Sequence, residues 1–451
     1  MNSRYNFEVK KLGEALIESP LRLSRENDDY VANYVSDDQR IIYNLHARPG
    51  QEFSFANSEL LERAGPRERI YFKPEEVKAA IVTCGGLCPG LNDVIRSIVM
   101  TLWYGYGVRC IYGIQYGYRG FLPRYHLPVL DLNPERVMDI HRIGGTILGA
   151  SRGMGDKVTD IADAIESMNI KMLFTIGGDG TQRGSLEISE ELLKRGLPIS
   201  VVGIPKTIDN DLSFIERSFG FETAVSTAVH AVTSAHTEAR NAINGIGIVK
   251  LMGRESGFIA AHTALAENDV NYVLIPEVPF ELEGPNGLLV HVKQRLQTRN
   301  HAVILVAEGA GQNLLEASNK TDLSGNKKLN DIGLFLKQNI ESYFAAEQVE
   351  INLKYIDPSY IIRSTPANPS DSIYCARLGT NAVHAAMAGK TQLLIGLVNN
   401  HMVYIPTHTA ISRRNRVDPE SSLWRDVVGA TGQPALMVNK KPVQSIVADV
   451  K

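Results

Sequence analysis

From about residue 77 the chain repeats one pattern: a short run of β-branched and apolar residues, a glycine-rich turn, then apolar positions at helical spacing. In the first unit AAIVTC (79–84) predicts a buried strand and GGLCPG a turn. The stretch that follows sets Val94, Ile95, Ile98, Val99, Leu102 and Trp103 on one helical face. Val158, Ile161, Ala162, Ile165 and Met168 define a second helix, leading into the strand KMLFTI (171–176), which again ends in Gly-Gly. A helix with Leu192 and Leu193 is predicted to stop at Gly196, before the strand ISVVGI (199–204). GIGIVKL (245–251), HAVILVA (301–307) and QLLIGLV (392–398) read as further strands. Strands alternating with helices predict the α/β class, and 451 residues allow two doubly wound, mainly parallel sheets. Residues 1 to about 75 are charge-rich and broken by Pro20, Pro49, Pro66 and Pro74, which predicts an N-terminal extension packed on that core.

Composition narrows the function classes. Lys and Arg total 47 against 50 Asp and Glu, a net charge of −3, so no global field draws nucleic acid or anionic lipid. No apolar run approaches the ~18 residues of a membrane span, and the first twenty residues lack a signal-type apolar stretch. Cys84, Cys88, Cys110 and Cys375 are too few for a disulfide framework and suit a reducing compartment. The expectation is a cytoplasmic protein with neither a nucleic-acid nor a membrane partner.

In open α/β sheets ligands bind beyond the carboxyl ends of the strands. Here those ends carry Gly85-Gly86-Leu87-Cys88-Pro89-Gly90, Gly177-Gly178-Asp179-Gly180-Thr181, Pro205-Lys206-Thr207-Ile208-Asp209-Asn210-Asp211, Met252-Gly253-Arg254 and Glu308-Gly309. Residues without a Cβ let backbone N–H groups close on phosphate oxygens at a helix N-terminus, although GGLCPG alone reads equally as a tight strand-to-helix turn. Asp179, set between glycines, suits a Mg2+ that bridges nucleotide phosphates. No GxxxxGK[ST] is present. On an extended loop Asp209 and Asp211 point the same way and could share a site, one as base and one near the metal; a solvated turn with helix-capping Asp is the alternative. Arg254 is a candidate to stabilise charge on a transferring phosphoryl group. Cys84 and Cys88 lack the partners of a zinc site, His230 and His236 read as packing or surface residues, and no GxSxG elbow occurs.

GGLCPGLN (85–92), GGTILGASR (144–152), GGDGT (177–181), PKTIDND (205–211), LMGRESGFIA (251–260), AEGAGQ (307–312) and PSYIIRS (358–364) follow one another in this order. In these the chain resembles the phosphofructokinase A family, and within it the longer ATP-dependent members with an N-terminal extension, like those of trypanosomatids and plants. The resemblance implies two Rossmann-like α/β/α domains. Residues 1–76 would form the extension, 77–220 with about 335–385 an ATP-binding domain, 221–334 with about 386–430 a fructose 6-phosphate-binding domain, and 431–451 a tail. It also implies phosphorylation of fructose 6-phosphate at the 1-hydroxyl, the committed step of glycolysis, by an allosteric homodimer or homotetramer with Mg2+ as cofactor.

By the same resemblance Gly86, Arg152, Gly153, Gly178, Asp179, Gly180 and Thr181 would hold ATP, with Asp179 on the metal. Asp209 would be the base beside Thr207, with Asp211 and Arg254 completing the catalytic set. Thr207, Ile208, Asp209, Met252, Gly253, Arg254 and Glu308 would meet the sugar or the transferring phosphate, and Tyr360, Ile361, Ile362 and Arg363 the 6-phosphate end. The chain departs from the short bacterial members at Asn244-Gly245 and Ser372, where those have phosphate-binding arginines. Gly180 and Lys206 give opposite advice on the donor. Pyrophosphate-dependent relatives have Asp at the first position and Lys at the second, so the open space at Gly180 favours ATP, with pyrophosphate the nearer rival. Other GGDGT kinases, such as NAD kinases, and non-catalytic regulatory subunits are the remaining alternatives.

Overall fold

The computed structural model describes residues 5–45, 59–153, 157–316 and 329–439. The described chain divides into two compact units, one of residues up to Ala224 with Ile361–Asn415, the other of Val225 to Tyr360 with residues from Arg416.

The first unit is built on a nine-stranded sheet whose order is Arg40–Ile42, Leu60–Arg63, His401–Pro406, Leu393–Val398, Ser200–Pro205, Met172–Gly177, Lys78–Thr83, Cys110–Ile114 and Leu130–Asp131. The middle of this sheet, from Leu393–Val398 to Cys110–Ile114, is parallel, and antiparallel strands close both edges. The central strands are buried along nearly their whole length and mostly apolar because helices cover both faces. On one side Val94, Ile95, Ile98 and Val99 of the Leu91–Met100 helix join Leu378, Ala382 and Val383 of the Pro369–Met387 helix. On the other, Ile161, Ile165, Ile188 and Leu192 come from helices Val158–Ser167 and Asp179–Lys194. Gly196 ends the latter helix with φ +72°, as expected. The Leu91–Met100 helix passes into a π-helical turn over Thr101–Tyr106, so Leu102 and Trp103 do not continue one regular face: Leu102 is buried and Trp103 half-buried.

The second unit carries a four-stranded parallel sheet in the order Tyr272–Leu274, His301–Ala307, Gly245–Leu251, Asn352–Ile356. Its core gathers Ile246, Ile248, Ile304 and Val306 with Val292 and Leu296 of one helix and Leu336, Ile340 and Phe344 of another.

Strand pairing redraws the expected boundaries. The helix Ile332–Ala346 and strand Asn352–Ile356, expected with the first domain, belong to the second unit because the strand pairs with Gly245–Leu251. Residues 386–415, expected in the second, lie in the first unit, where Leu393–Val398 pairs with Ser200–Pro205. The described part of the expected tail is tied down: Gln433 bonds the backbone of Val273, and Met437 pairs with Phe280. Residues 440–451 lie outside the described residues. The N-terminal extension contributes to the main sheet itself, since Leu60–Arg63 pairs with His401–Pro406. Among the described residues no helix is long and apolar enough to cross a membrane.

A charge network fastens the extension. Lys390, 1% exposed, lies 2.6 Å from Glu62 and 2.9 Å from Asp37, while Arg67 reaches the same two carboxylates at 2.6 and 2.7 Å. Burial alone would raise the Asp37 pKa, but bonds from Lys11, Arg67 and Lys390 outweigh it and hold the carboxyl well below the ordinary 3.8. A depressed folded-state value contributes stability that is present above about pH 4 and is lost as pH falls toward it. Glu62→Gln is expected to cost roughly 3 kcal/mol, because it leaves buried cations undercompensated. The wild type should also lose more stability between about pH 5 and pH 2 than Asp37→Asn does. Denaturant unfolding across a pH series measures both, and an unchanged midpoint in Glu62→Gln would count against the network.

Candidate functional site

In the first unit three adjacent strands deliver their carboxyl-end turns to one place. Pairing carries Thr83 to Ile176 and Pro205 to Gly177, so residues 84–86, 177–180 and 205–207 emerge side by side. Backbone bonds continue beyond the ladder: Cys84 N donates to Ile176 O at 2.9 Å, Lys206 N to Gly177 O at 3.0 Å, and Gly85 N to Ser151 O at 2.9 Å. The last of these brings in the loop carrying Arg152 and Gly153. A Cβ on Gly86 would stand 3.7 Å from the Arg152 guanidinium, and one on Gly178 would stand 3.3 Å from Lys206 O. Gly86, Arg152, Gly178 and Lys206 are therefore brought together.

Asp179 opens the sixteen-residue helix Asp179–Lys194; Thr181 N already donates to Gly178 O at 2.9 Å, and the N–H groups ahead of it, at the positive end of the helix dipole, favour an anion. Its carboxylate accepts from Arg183 at 3.0 Å and lies 3.8 Å from Arg414. Thr181 and Gly180 follow in the same first turn. A Cβ on Gly180 would meet nothing within 4 Å, so the space beside this turn is open. Among the described residues no group of three or more His, Cys, Asp or Glu side chains could hold a metal by itself. A single hard carboxylate beside a phosphate-binding turn nevertheless suits Mg2+, which binds through one or two carboxylates plus substrate phosphates and keeps its waters.

Lys206 is nearly fully buried, and its Nζ donates to Gly86 O at 2.7 Å. Burial pulls its pKa below the ordinary 10.5, and the neighbouring cations Arg152 and Arg363 push the same way.

The loop after Lys206 differs from the extended form that would align Asp209 with Asp211. Residues 208 and 209 form a turn, and Asn210 lies in the left-handed region at φ +56°. The Asn210 side chain accepts from Ser218 N at 2.8 Å, which fixes the turn. Asp211 accepts the Thr207 hydroxyl at 2.5 Å, and its carbonyl accepts from Asn415 N at 2.8 Å. Asp211 thus holds Thr207, and Asp209 and Ile208 sit partly exposed at the bend.

In the second unit parallel strands bring the other two motifs together. Glu308 N donates to Leu251 O at 2.9 Å and Gly309 N to Gly253 O at 3.0 Å, so Glu308 stands beside Met252-Gly253-Arg254. Gly253 takes φ +126°, which a side chain rarely adopts, and a Cβ on Gly309 would fall 2.0 Å from Arg254 O. Tyr360, 82% exposed, is the second residue of the helix Ser359–Ser364, whose later residues Ile361, Ile362 and Arg363 are assigned to the first unit; Ile361 is exposed and Ile362 fully buried. Ser372, at one of the departures noted above, lies in the first unit and donates to Asp93 at 2.5 Å.

Sequence reasoning passed over Glu277. It follows the strand Tyr272–Leu274, and its Oε1 accepts from Gly257 N at 3.0 Å and Val417 N at 2.7 Å. Its buried Oε2 has no hydrogen-bond partner among the described residues, and burial raises its pKa. The signal was available as another polar residue just beyond a strand's carboxyl end.

Comparison with known proteins adds independent findings. The family model for Phosphofructokinase matches residues 78–386. The chain is 56% identical over 445 residues to "ATP-dependent 6-phosphofructokinase" of Borreliella burgdorferi, a match covering 97% of this chain and 99% of that protein. It is 48% identical over 432 residues to "ATP-dependent 6-phosphofructokinase 5, chloroplastic" of Arabidopsis thaliana, covering 92% and 80%. The crystal structure of a pyrophosphate-dependent phosphofructokinase from Marinobacter aquaeolei aligns with a TM-score of 0.64 over 81% of this chain and 93% of that one, at 20% identity, and so shares the fold.

Gly309→Ala tests the close approach in the second unit. The methyl group must displace the Arg254 carbonyl, at a cost of about 1–3 kcal/mol. Thermal unfolding should register the loss, and a variant as stable as the wild type would show that the loop yields freely.

Proposed function

The chain belongs to the phosphofructokinase family, and from that premise we propose that it is an ATP-dependent 6-phosphofructokinase, transferring the terminal phosphoryl group of ATP to the 1-hydroxyl of fructose 6-phosphate. The observation that carries the choice of donor is the open space at Gly180, at the start of an anion-binding helix. The Lys206 ammonium donates one of its three N–H groups to the Gly86 carbonyl and so braces the glycine turn, a role compatible with either donor.

Phosphoryl transfer asks little covalent help of the protein; positioning and charge stabilisation supply most of the rate. Gly86, Arg152, Gly153 and Gly178–Thr181 receive the nucleotide phosphates on backbone N–H groups and a guanidinium. Asp179 would hold Mg2+, which when bound neutralises charge on those phosphates. Asp209 accepts the proton of the 1-hydroxyl as its oxygen attacks phosphorus, and ADP departs with the electrons of the broken P–O bond. Thr207, tethered by Asp211, fixes the bend that presents Asp209. Arg254 offsets charge on the transferring group, Met252, Gly253 and Glu308 hold the sugar, and Tyr360–Arg363 take the 6-phosphate. The four cysteines are free, in keeping with a reducing cytoplasm. A closed homodimer or homotetramer is the assembly proposed.

Asp209→Asn is expected to lower kcat by roughly 10²- to 10⁴-fold with little change in either KM. A near-normal kcat in a coupled assay removes Asp209 from the role of base.

Gly180→Asp introduces a carboxylate where the free protein has room for it. It should therefore fold normally, yet lose far more kcat/KM for ATP than Lys206→Gly does, through repulsion of the nucleotide. Assays with ATP and pyrophosphate in parallel check this. Comparable use of the two donors by the unmodified chain would hand donor choice to Lys206.

A further inference from the structure

Lys250 is the only residue of the strand Gly245–Leu251 that is not fully buried, and its ammonium does not reach solvent freely: the side chain is 12% exposed. Its Nζ lies 2.9 Å from Asp331 and 2.9 Å from Asp357. Each carboxylate does further work. Asp331 caps the helix Ile332–Ala346 by accepting from Leu334 N at 3.1 Å, and it accepts the Tyr355 hydroxyl at 2.9 Å. Asp357 accepts from Ser359 N at 3.0 Å and from the Ser359 hydroxyl at 2.5 Å, fixing the turn that leads into Tyr360.

The position of this cluster along the ladder matters most. Gly245–Leu251 pairs in parallel with Asn352–Ile356, Val249 standing opposite Ile356, and there the backbone pairing ends. One residue further on, Lys250 and Asp357 face each other, so their ion pair replaces the next rung. Beyond it the two chains run to Met252-Gly253-Arg254 and to Pro358-Ser359-Tyr360. Apolar residues in such a place would be as stabilising as an ion triad or more so, since desolvation offsets much of the Coulomb gain. What the triad adds is a directional hold. Burial tends to lower the Lys250 pKa and to raise those of Asp331 and Asp357, yet the mutual bonds prevail and keep all three ionised at neutral pH.

We propose that Lys250 is a positioning residue that fixes the Asp357–Tyr360 segment against Met252–Arg254 and thereby sets the affinity for the sugar phosphate. The proposal rests on the phosphofructokinase reading above. Lys250 itself does not touch the reacting groups, and Met252–Arg254 is held separately by the bonds of Glu308 N to Leu251 O and Gly309 N to Gly253 O, so loss of Lys250 releases the Asp357–Tyr360 side and falls on KM for fructose 6-phosphate and not on the chemical step.

Steady-state kinetics of the full chain test this. Lys250→Met is expected to raise KM for fructose 6-phosphate roughly tenfold, leaving kcat within about threefold and KM for ATP unchanged. Asp357→Asn should reproduce the effect and Lys250→Arg should relieve it. Asp331→Asn, which leaves the Lys250–Asp357 pair in place, should lower thermal stability while KM stays near wild type. An unchanged KM in folded Lys250→Met, or in Asp357→Asn should the first variant fail to fold, overturns the proposal, as does an equal rise in Asp331→Asn. A wild-type chain that does not phosphorylate fructose 6-phosphate overturns the functional reading instead, which separates the two failures.

Discussion

Three parallel strands end in step, and the chemistry of the first unit depends on that register. Because Thr83 stands opposite Ile176 and Gly177 opposite Pro205, glycine turns some ninety residues apart in sequence stand side by side. A slip of one residue would turn every side chain to the other face of the sheet and bury the wrong set. The apolar filling of both faces therefore enforces the register, and the register assembles the site. The bonds of Lys206 N to Gly177 O and Gly85 N to Ser151 O carry the alignment past the end of the ladder into the turns themselves.

This dependence explains which features could be read in advance. Buried central strands are long apolar runs ending in glycine, so 171–176 and 199–204 were placed within one residue of Met172–Gly177 and Ser200–Pro205, and 245–251 and 301–307 coincide with the strands observed. Cys110–Ile114, Asn352–Ile356 and His401–Pro406 gave no comparable signal. Each includes polar or half-exposed positions, as a strand nearer an edge does. The unit boundaries were misjudged for a related reason. A helix such as Ile332–Ala346 looks the same on either side of a boundary, and only the pairing of the strand after it decides where it belongs.

Glycine motifs were legible because a missing Cβ is visible in sequence, and the close approaches at Gly178 and Gly309 show the backbone using it. Side-chain geometry was not. The Asp-X-Asp spacing suggested two carboxylates on one face, but Asn210 in the left-handed region bends the loop and commits Asp211 to Thr207. Nothing in GIGIVKL shows that its lysine meets two aspartates, one of them 107 residues away by strand register. Glu277 likewise becomes notable only once its buried, unsatisfied oxygen is seen.

Lys206 shows how a charge visible in sequence changes meaning once it is placed. In the open it would be a flexible counter-ion for a phosphate. Here the ammonium is buried against Gly86 O, its pKa depressed by desolvation and by Arg152 and Arg363. That bond takes one of the three N–H donors of the ammonium and anchors the side chain against the glycine turn; losing it would leave a buried acceptor unsatisfied, at a cost of about 1–3 kcal/mol. A cation that reads in sequence as a phosphate counter-ion thus proves to be a brace for the backbone of the Gly85-Gly86 turn, and in the reading proposed above the space beside Gly180, not this charge, sets the choice of donor.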